Sequence, residues 1–162
     1  MKSSEKKYTI NELELVFRKL IEDTSDIRQY YYKKVFYPYE NKEERKESDY
    51  NDIGELARLI LKKKRKNATE EFEQFFRNVE EILSDADYDI TNLIVVGLFE
   101  GIQNVGGPEI DYYNSFDLWL QPTSKKKWDE LIDFWEGKEW RVPNKERNRR
   151  EKEVKNILNK NR

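Results

Sequence analysis

The chain has 162 residues, 31 of them basic and 33 acidic, with a formal net charge of −2 and a pI near 5.5; the basic excess of a dedicated nucleic-acid binder is missing. Cysteine and histidine are both absent, which excludes a disulfide framework, a thiol nucleophile, a Cys-based zinc site and the commonest general base. Hydrophobic content is low at 36%, yet 14% of residues are aromatic, which suits a single domain over 1–162 built on one aromatic-rich core.

The N-terminus, MKSSEKKYTINELELVF, is charged where a secretory signal needs an apolar run. The longest apolar run, Leu93–Phe99, is too short to cross a bilayer, so a cytoplasmic protein without a membrane partner is expected. Thr9, Ile10, Asn11 and Glu12 form a capping-box pattern, and Leu13, Val16, Phe17, Leu20 and Ile21 repeat behind it at helical spacing. A second helix is predicted from 26 to about 36, carrying Ile27, Tyr30, Tyr31 and Val35 and stopped by Pro38. The tyrosines between 30 and 39 are read chiefly as core, with a partner site or a self-association face as alternatives. The charged stretch ENKEERKESDYND reads as a loop or a solvated helix start. Ile53, Leu56, Ala57 and Ile60 then mark a helix ending in KKKRK, where cations complement the macrodipole.

The clearest amphipathic pattern opens at Asn67-Ala68-Thr69-Glu70. Phe72, Phe75, Phe76, Val79, Ile82 and Leu83 form its inner stripe, with Glu71, Glu73, Glu80 and Glu81 facing away. Asp89 is placed as the cap of the next helix, from 90 to about 105, which is apolar nearly all round and is therefore expected to be the buried central helix. Gly97 and Gly101 on it would let a neighbour approach closely, and Gly106-Gly107-Pro108 ends it. Thr123 or Ser124 would cap a further helix with Trp128, Leu131, Ile132 and Trp135 inward. A last, very basic helix from about 145 to 158 is expected to be peripheral. The fold class is all-α: an irregular helical bundle with a buried central helix and room for one short strand or hairpin between 110 and 120.

Chemical motifs are sparse. Asp85, Asp87 and Asp89 resemble the start of a calcium loop, but Ile90 stands where a turn glycine is needed and Val96 where a bidentate glutamate is needed. Glu100, among Leu98, Phe99 and Ile102, would need a partner if buried. No second acid, nucleophile or metal set accompanies it at a recognisable spacing, so neither catalysis nor a cofactor or metal is expected. The sharper signal is charge segregation: residues 78–124 hold nine of the acidic residues and none of the basic ones. Core packing and helix-start acids explain part of this. The segment GGPEIDYYNSFD, however, mixes acids and tyrosines in a glycine-led loop, a composition suited to a basic partner.

The stretches NLIVVGLFEGIQN (92–104) and LWLQPTSKKKWDELIDFWEG (118–137) together resemble an uncharacterised family of small helical bacterial proteins that includes immunity proteins of contact-dependent or wall-associated polymorphic toxins. The resemblance runs from about 69 to 137, and Gln121 departs from the glycine expected before the proline. It implies a stoichiometric inhibitor that covers the basic surface of a cognate toxin domain, for instance a nuclease. The partner-binding residues are then expected to be Glu109, Asp111, Tyr112, Tyr113 and Asp117, with Asp85 and Asp87 as a second choice. The alternative is a nucleic-acid-associated protein using the basic C-terminal stretch 138–162, which holds ten basic and four acidic residues.

Overall fold

The computed structural model describes residues 5–36, 49–106, 111–137 and Ile157. Among the described residues there are six helices and no strand, so the fold is all-α. Helix α1 is Leu13–Leu20, entered through a tight 3₁₀ turn over Ile10–Glu12. Helix α2 is Asp26–Tyr30 and widens into π-helical turns over Tyr31–Phe36. Helix α3 is Asp49–Arg65 and α4 is Phe72–Ser84. Helix α5 opens as Tyr88–Asn92, widens to a π-helix over Leu93–Phe99 and returns to α geometry over Glu100–Gly106. Helix α6 is Pro122–Glu136.

The core follows the apolar stripes. Phe72, Phe75, Phe76, Val79, Ile82 and Leu83 of α4 are all buried, as are Val16, Phe17 and Leu20 of α1 and Ile53, Leu56, Ala57 and Ile60 of α3. Each Val, Leu, Ile or Phe among these contributes about 1.5–3 kcal/mol of transfer free energy. Tyr31 is buried and stacks on Phe17 with centroids 5.6 Å apart, so the core assignment holds there, whereas Tyr32 stays exposed and Tyr37 and Tyr39 lie outside the described residues. Helices α3 and α5 meet through their glycines. A Cβ on Gly97 would overlap Cγ2 of Ile53, and one on Gly101 would stand 3.0 Å from Cβ of Ala57. The two contacts advance together along both helices, so α3 and α5 run in the same direction at close range.

Polar residues in and beside α4 close the ends of other helices. Glu71 accepts backbone N–H bonds from Ser25, Asp26 and Ile27 at the start of α2, the last at 3.1 Å. Buried Asn78 donates to the carbonyls of Leu20 (3.2 Å) and Glu22 (2.8 Å), just where α1 runs out of partners. Glu80 accepts from the N–H groups of Thr123 and Ser124, both at 2.7 Å, at the start of α6. Glu81 pairs with Lys19 of α1. Glu71, Glu80 and Glu81 therefore do not simply face solvent as the stripe pattern suggested. Helix periodicity locates the outward side of α4 but not the helix ends that other segments bring up to it.

Other boundaries also shift. Asn67 closes α3 instead of opening α4: it adopts a left-handed φ of 58°, with Ala68 N–H donating to the Lys63 carbonyl at 2.8 Å and Asn67 N–H to that of Lys64 at 3.1 Å. This Schellman arrangement satisfies carbonyls at the end of the basic run. Asp87, not Asp89, caps α5, its Oδ1 accepting from Ile90 N–H at 2.8 Å. Thr9 makes no side-chain cap; the Ile10 N–H goes to Oδ2 of Asp87 at 3.0 Å instead. Gln121 caps α6 in a capping box with Ser124, Pro122 at the first turn.

The anticipated hairpin is absent among the described residues. Segment 111–120 is a succession of turns because Asp111, Asn114 and Phe116 carbonyls accept from Ser115, Asp117, Trp119 and Leu120, closing local rings before any ladder can form. One isolated bridge joins Tyr8 to Ala86. Helix α5 is central but not buried all round: Val96 and Val105 are 46% and 51% exposed. Glu100 lies between Val96 and Asn104 on that outward strip, half-exposed, with Asn104 donating to it at 3.4 Å. Its hydrophobic sequence neighbours point to other sides of the helix. No described helix is long and apolar enough to cross a membrane.

Candidate protein-binding surface

Segment 111–121 is held from beneath. Oδ1 of Asp111 accepts from Tyr113 N–H at 3.0 Å, which sets the first turn. Phe116 is fully buried and packs on Phe76 (5.9 Å between centroids), Trp128 (5.2 Å) and Phe72 (6.4 Å). Trp128 in turn donates its indole N–H to the Tyr112 carbonyl at 2.8 Å. The buried aromatic thus fixes the backbone, Trp119 also packs inward on Phe72 with centroids 4.9 Å apart, and Asn114, Asp117 and Leu118 are displayed outward. Leu118, two residues on, is 83% exposed.

The far end of the surface is the last turn of α6. Ser124, Trp128 and Ile132 form the buried stripe of that helix, and Glu136 follows one turn later on the same face, where the stripe reaches solvent. Both Tyr112 and Tyr113 donate their hydroxyls to Glu136, Tyr112 at 3.0 Å. Burial pushes both phenol groups above their ordinary range, and the bond to the Glu136 carboxylate adds to the effect. Earlier in the same turn, Phe134 and Trp135 are 78% and 45% exposed, their rings 5.4 Å apart. Trp135 was expected inward. A run of Leu131, Ile132, Phe134 and Trp135 is wider than one face of a helix, and Trp128 with Ile132 sets the inward phase.

Charge order along α6 is inverted relative to its macrodipole. Lys125, Lys126 and Lys127 lie near its N-terminus, its first turn has no acid, and its last turn has no base and ends in Glu136. Each such misplaced charge costs about 0.3–1 kcal/mol at an exposed helix end. Two local contacts offset this at the start: Glu80 supplies the missing negative charge, and Lys125 pairs with Asp117 (2.7 Å) and Asp129 (2.8 Å). Burial works to lower the Lys125 ammonium, but its bonds to Asp117 and Asp129 outweigh that and hold it above the ordinary range.

The expected binding residues therefore divide. Tyr112 and Tyr113 come together with Glu136, and Asp111 lies at the start of the same segment, exposed. Asp117 is exposed but already paired with Lys125. Glu109 lies outside the described residues. Asp87 uses one carboxylate oxygen on Ile10 and the other on Ile90, while Asp85 is tied to the N-terminal segment only through its backbone carbonyl, which accepts from Tyr8 N–H at 2.9 Å. Sequence reasoning missed Glu136, Phe134 and Leu118. The inverted charge order of α6 was the available signal for Glu136; nothing comparable marks Leu118. Among the described residues no group of three or more acids is disposed to hold a metal ion. The basic stretch behind the nucleic-acid alternative, apart from Ile157, lies outside the described residues.

Residues 11–136 match the family model described as a domain of unknown function, DUF7674. The chain belongs to this family. The DUF7674 match covers more of the chain than the stretch from 69 to 137 that carried the resemblance, and it includes α1 to α6 entirely. The description of DUF7674 assigns no activity or partner. No curated protein and no solved structure matches the chain. The surface of segment 111–121 and all of α6 lie within the DUF7674 match, whose last residue, 136, is the glutamate held by the two tyrosines.

Proposed function

We propose that this protein is an immunity protein, which binds a cognate toxin domain and neutralises it by covering a basic active surface such as that of a nuclease. The observation that carries the reading is a set of exposed apolar side chains, Leu118, Phe134 and Trp135, on the segment and helix end where Tyr112 and Tyr113 hold Glu136. Apolar and aromatic anchors of this kind provide binding energy when a partner excludes water from them. The acidic, lysine-free run from 78 to 124 adds attraction toward a basic partner and speeds the encounter. The resemblance of 92–104 and 118–137 to a family that includes immunity proteins points the same way. Inhibition by coverage needs no chemistry from the inhibitor and places it in the cytoplasm of the producing cell.

The test is a growth assay in which the C-terminal domain of the protein encoded just upstream is expressed with and without this chain. Relief of toxicity, with a complex recovered on purification, is the expected result. Phe134→Ser and Leu118→Ser should each weaken the complex while leaving the fold intact. A harmless upstream product, or a toxicity that this chain neither relieves nor binds, overturns the reading and directs attention to nucleic acid and the basic stretch 138–162.

A further inference from the structure

Glu136 differs from other acids of the chain in how its oxygens are used. Asp87 has both oxygens committed to backbone N–H groups, and Asp117 faces Lys125. The Glu136 carboxylate takes one tyrosine hydroxyl on each oxygen. An ionised carboxylate offers about four acceptor positions, so roughly two remain open. The residue is exposed, and among the described residues no lysine or arginine forms an ion pair with it. It also ends a helix whose last turn contains no basic residue, so the negative end of the macrodipole adds to its field. The position favours a cation that the described part of the chain does not provide.

The surroundings select among cations. The Tyr112 and Tyr113 rings lie 4.7 Å apart, inclined at 36°, and their hydroxyls hold the carboxylate in one orientation. Trp135, the residue before Glu136, adds an exposed ring on the same last turn of α6. A fixed carboxylate beside aromatic rings matches a guanidinium, which is planar, forks onto two oxygens and stacks on rings. An ammonium is a strongly hydrated point charge and uses neither the fork nor the ring faces. Holding the carboxylate beforehand also lowers the ordering cost of binding.

We infer that Glu136, gripped by Tyr112 and Tyr113, is the receptor for an arginine side chain presented by a protein partner. The inference rests on the immunity reading for the identity of that partner and names the side chain that the partner inserts.

The first experiment needs no toxin. The full-length protein, with its tyrosine and tryptophan ring signals assigned by NMR, is titrated with three capped tripeptides, Gly-Arg-Gly, Gly-Lys-Gly and Gly-citrulline-Gly. Citrulline keeps the shape of arginine without its charge. The arginine peptide should shift the Tyr112, Tyr113 and Trp135 signals saturably in the millimolar range, the lysine peptide should bind roughly tenfold more weakly, and citrulline should not saturate. Glu136→Gln should abolish the arginine response, whereas Glu130→Gln on the exposed side of α6 should not. Equal binding of lysine or citrulline, no saturable shift into the tens of millimolar, or an undiminished response in Glu136→Gln each overturns the inference. The co-expression assay separates this from the wider reading. If the wild-type chain relieves toxicity and Glu136→Gln relieves it equally well, the arginine receptor fails and the immunity function stands. If peptide binding behaves as expected but no toxin is neutralised, the receptor stands and its partner is a different protein.

Discussion

A methyl group added at Gly97 would enter the volume of the Ile53 side chain, while one added at Gly54, on the helix opposite, would meet nothing within 4 Å. The two glycines look alike in sequence and should behave in opposite ways. Gly97→Ala should destabilise the protein by about 1–3 kcal/mol through overpacking. Gly54→Ala should leave stability unchanged or raise it by about 0.4–1 kcal/mol, because the chain loses unfolded-state freedom without strain. Urea unfolding of both variants checks this, and a double variant of Gly97→Ala with Ile53→Ala should be more stable than the sum of the single effects, since the overlapping group is gone. Glu80 provides a second residue-scale case. Truncation to alanine leaves the Thr123 and Ser124 N–H groups without their acceptor at a half-buried helix start and should cost about 1–3 kcal/mol. A Glu80→Ala variant with unchanged thermal stability would show that water replaces the carboxylate there.

At the scale of elements, α4 contributes more than a hydrophobic stripe. Asn78, Glu80 and Glu81 on it, with Glu71 before it and Asp87 after it, reach the ends or flanks of α1, α2, α5 and α6. These acids answer part of the charge segregation: several of them occupy helix starts, where negative charge is favoured and a lysine would be out of place. The α1–α4 junction has a pH signature. The Lys19 hydrogen bond holds the Glu81 carboxyl below its ordinary value of 4.5. Its folded-state value is depressed, so its stabilising contribution is complete above the ordinary carboxylate range and is lost as the pH falls through the folded value. Because Glu81 is half exposed, the contribution should stay below about 1 kcal/mol. Glu81→Gln should therefore be slightly less stable than wild type at pH 7 and match it in acid. A deficit that persists at a pH low enough to protonate Glu81 in the folded protein would assign the effect to packing.

For the whole molecule, the partner surface and the stability of the fold should be separable. Leu118 and Phe134 are almost fully exposed, so serine substitutions there should alter unfolding free energy by no more than about 0.5 kcal/mol. In the complex, loss of a buried aromatic anchor should cost about 2 kcal/mol or more. Calorimetric titration of the variants against the toxin domain proposed as partner, beside their urea unfolding curves, would show whether the two quantities move independently. By itself the sequence determined the all-α class, the six described helices in approximate register and the aromatic core of α4, because helical periodicity and apolar side chains are local and additive. It also marked Gly97 and Gly101 as contact points, since a missing Cβ has few other uses in a helix interior. Only the tertiary structure decided that Glu71, Glu80 and Asp87 cap helix ends, that Glu100 and Trp135 face outward, and that Tyr112 and Tyr113 close on Glu136. Those outcomes depend on which helix end is brought up to which side chain, and on a helix phase set by its neighbours, and neither is encoded in the spacing along one segment.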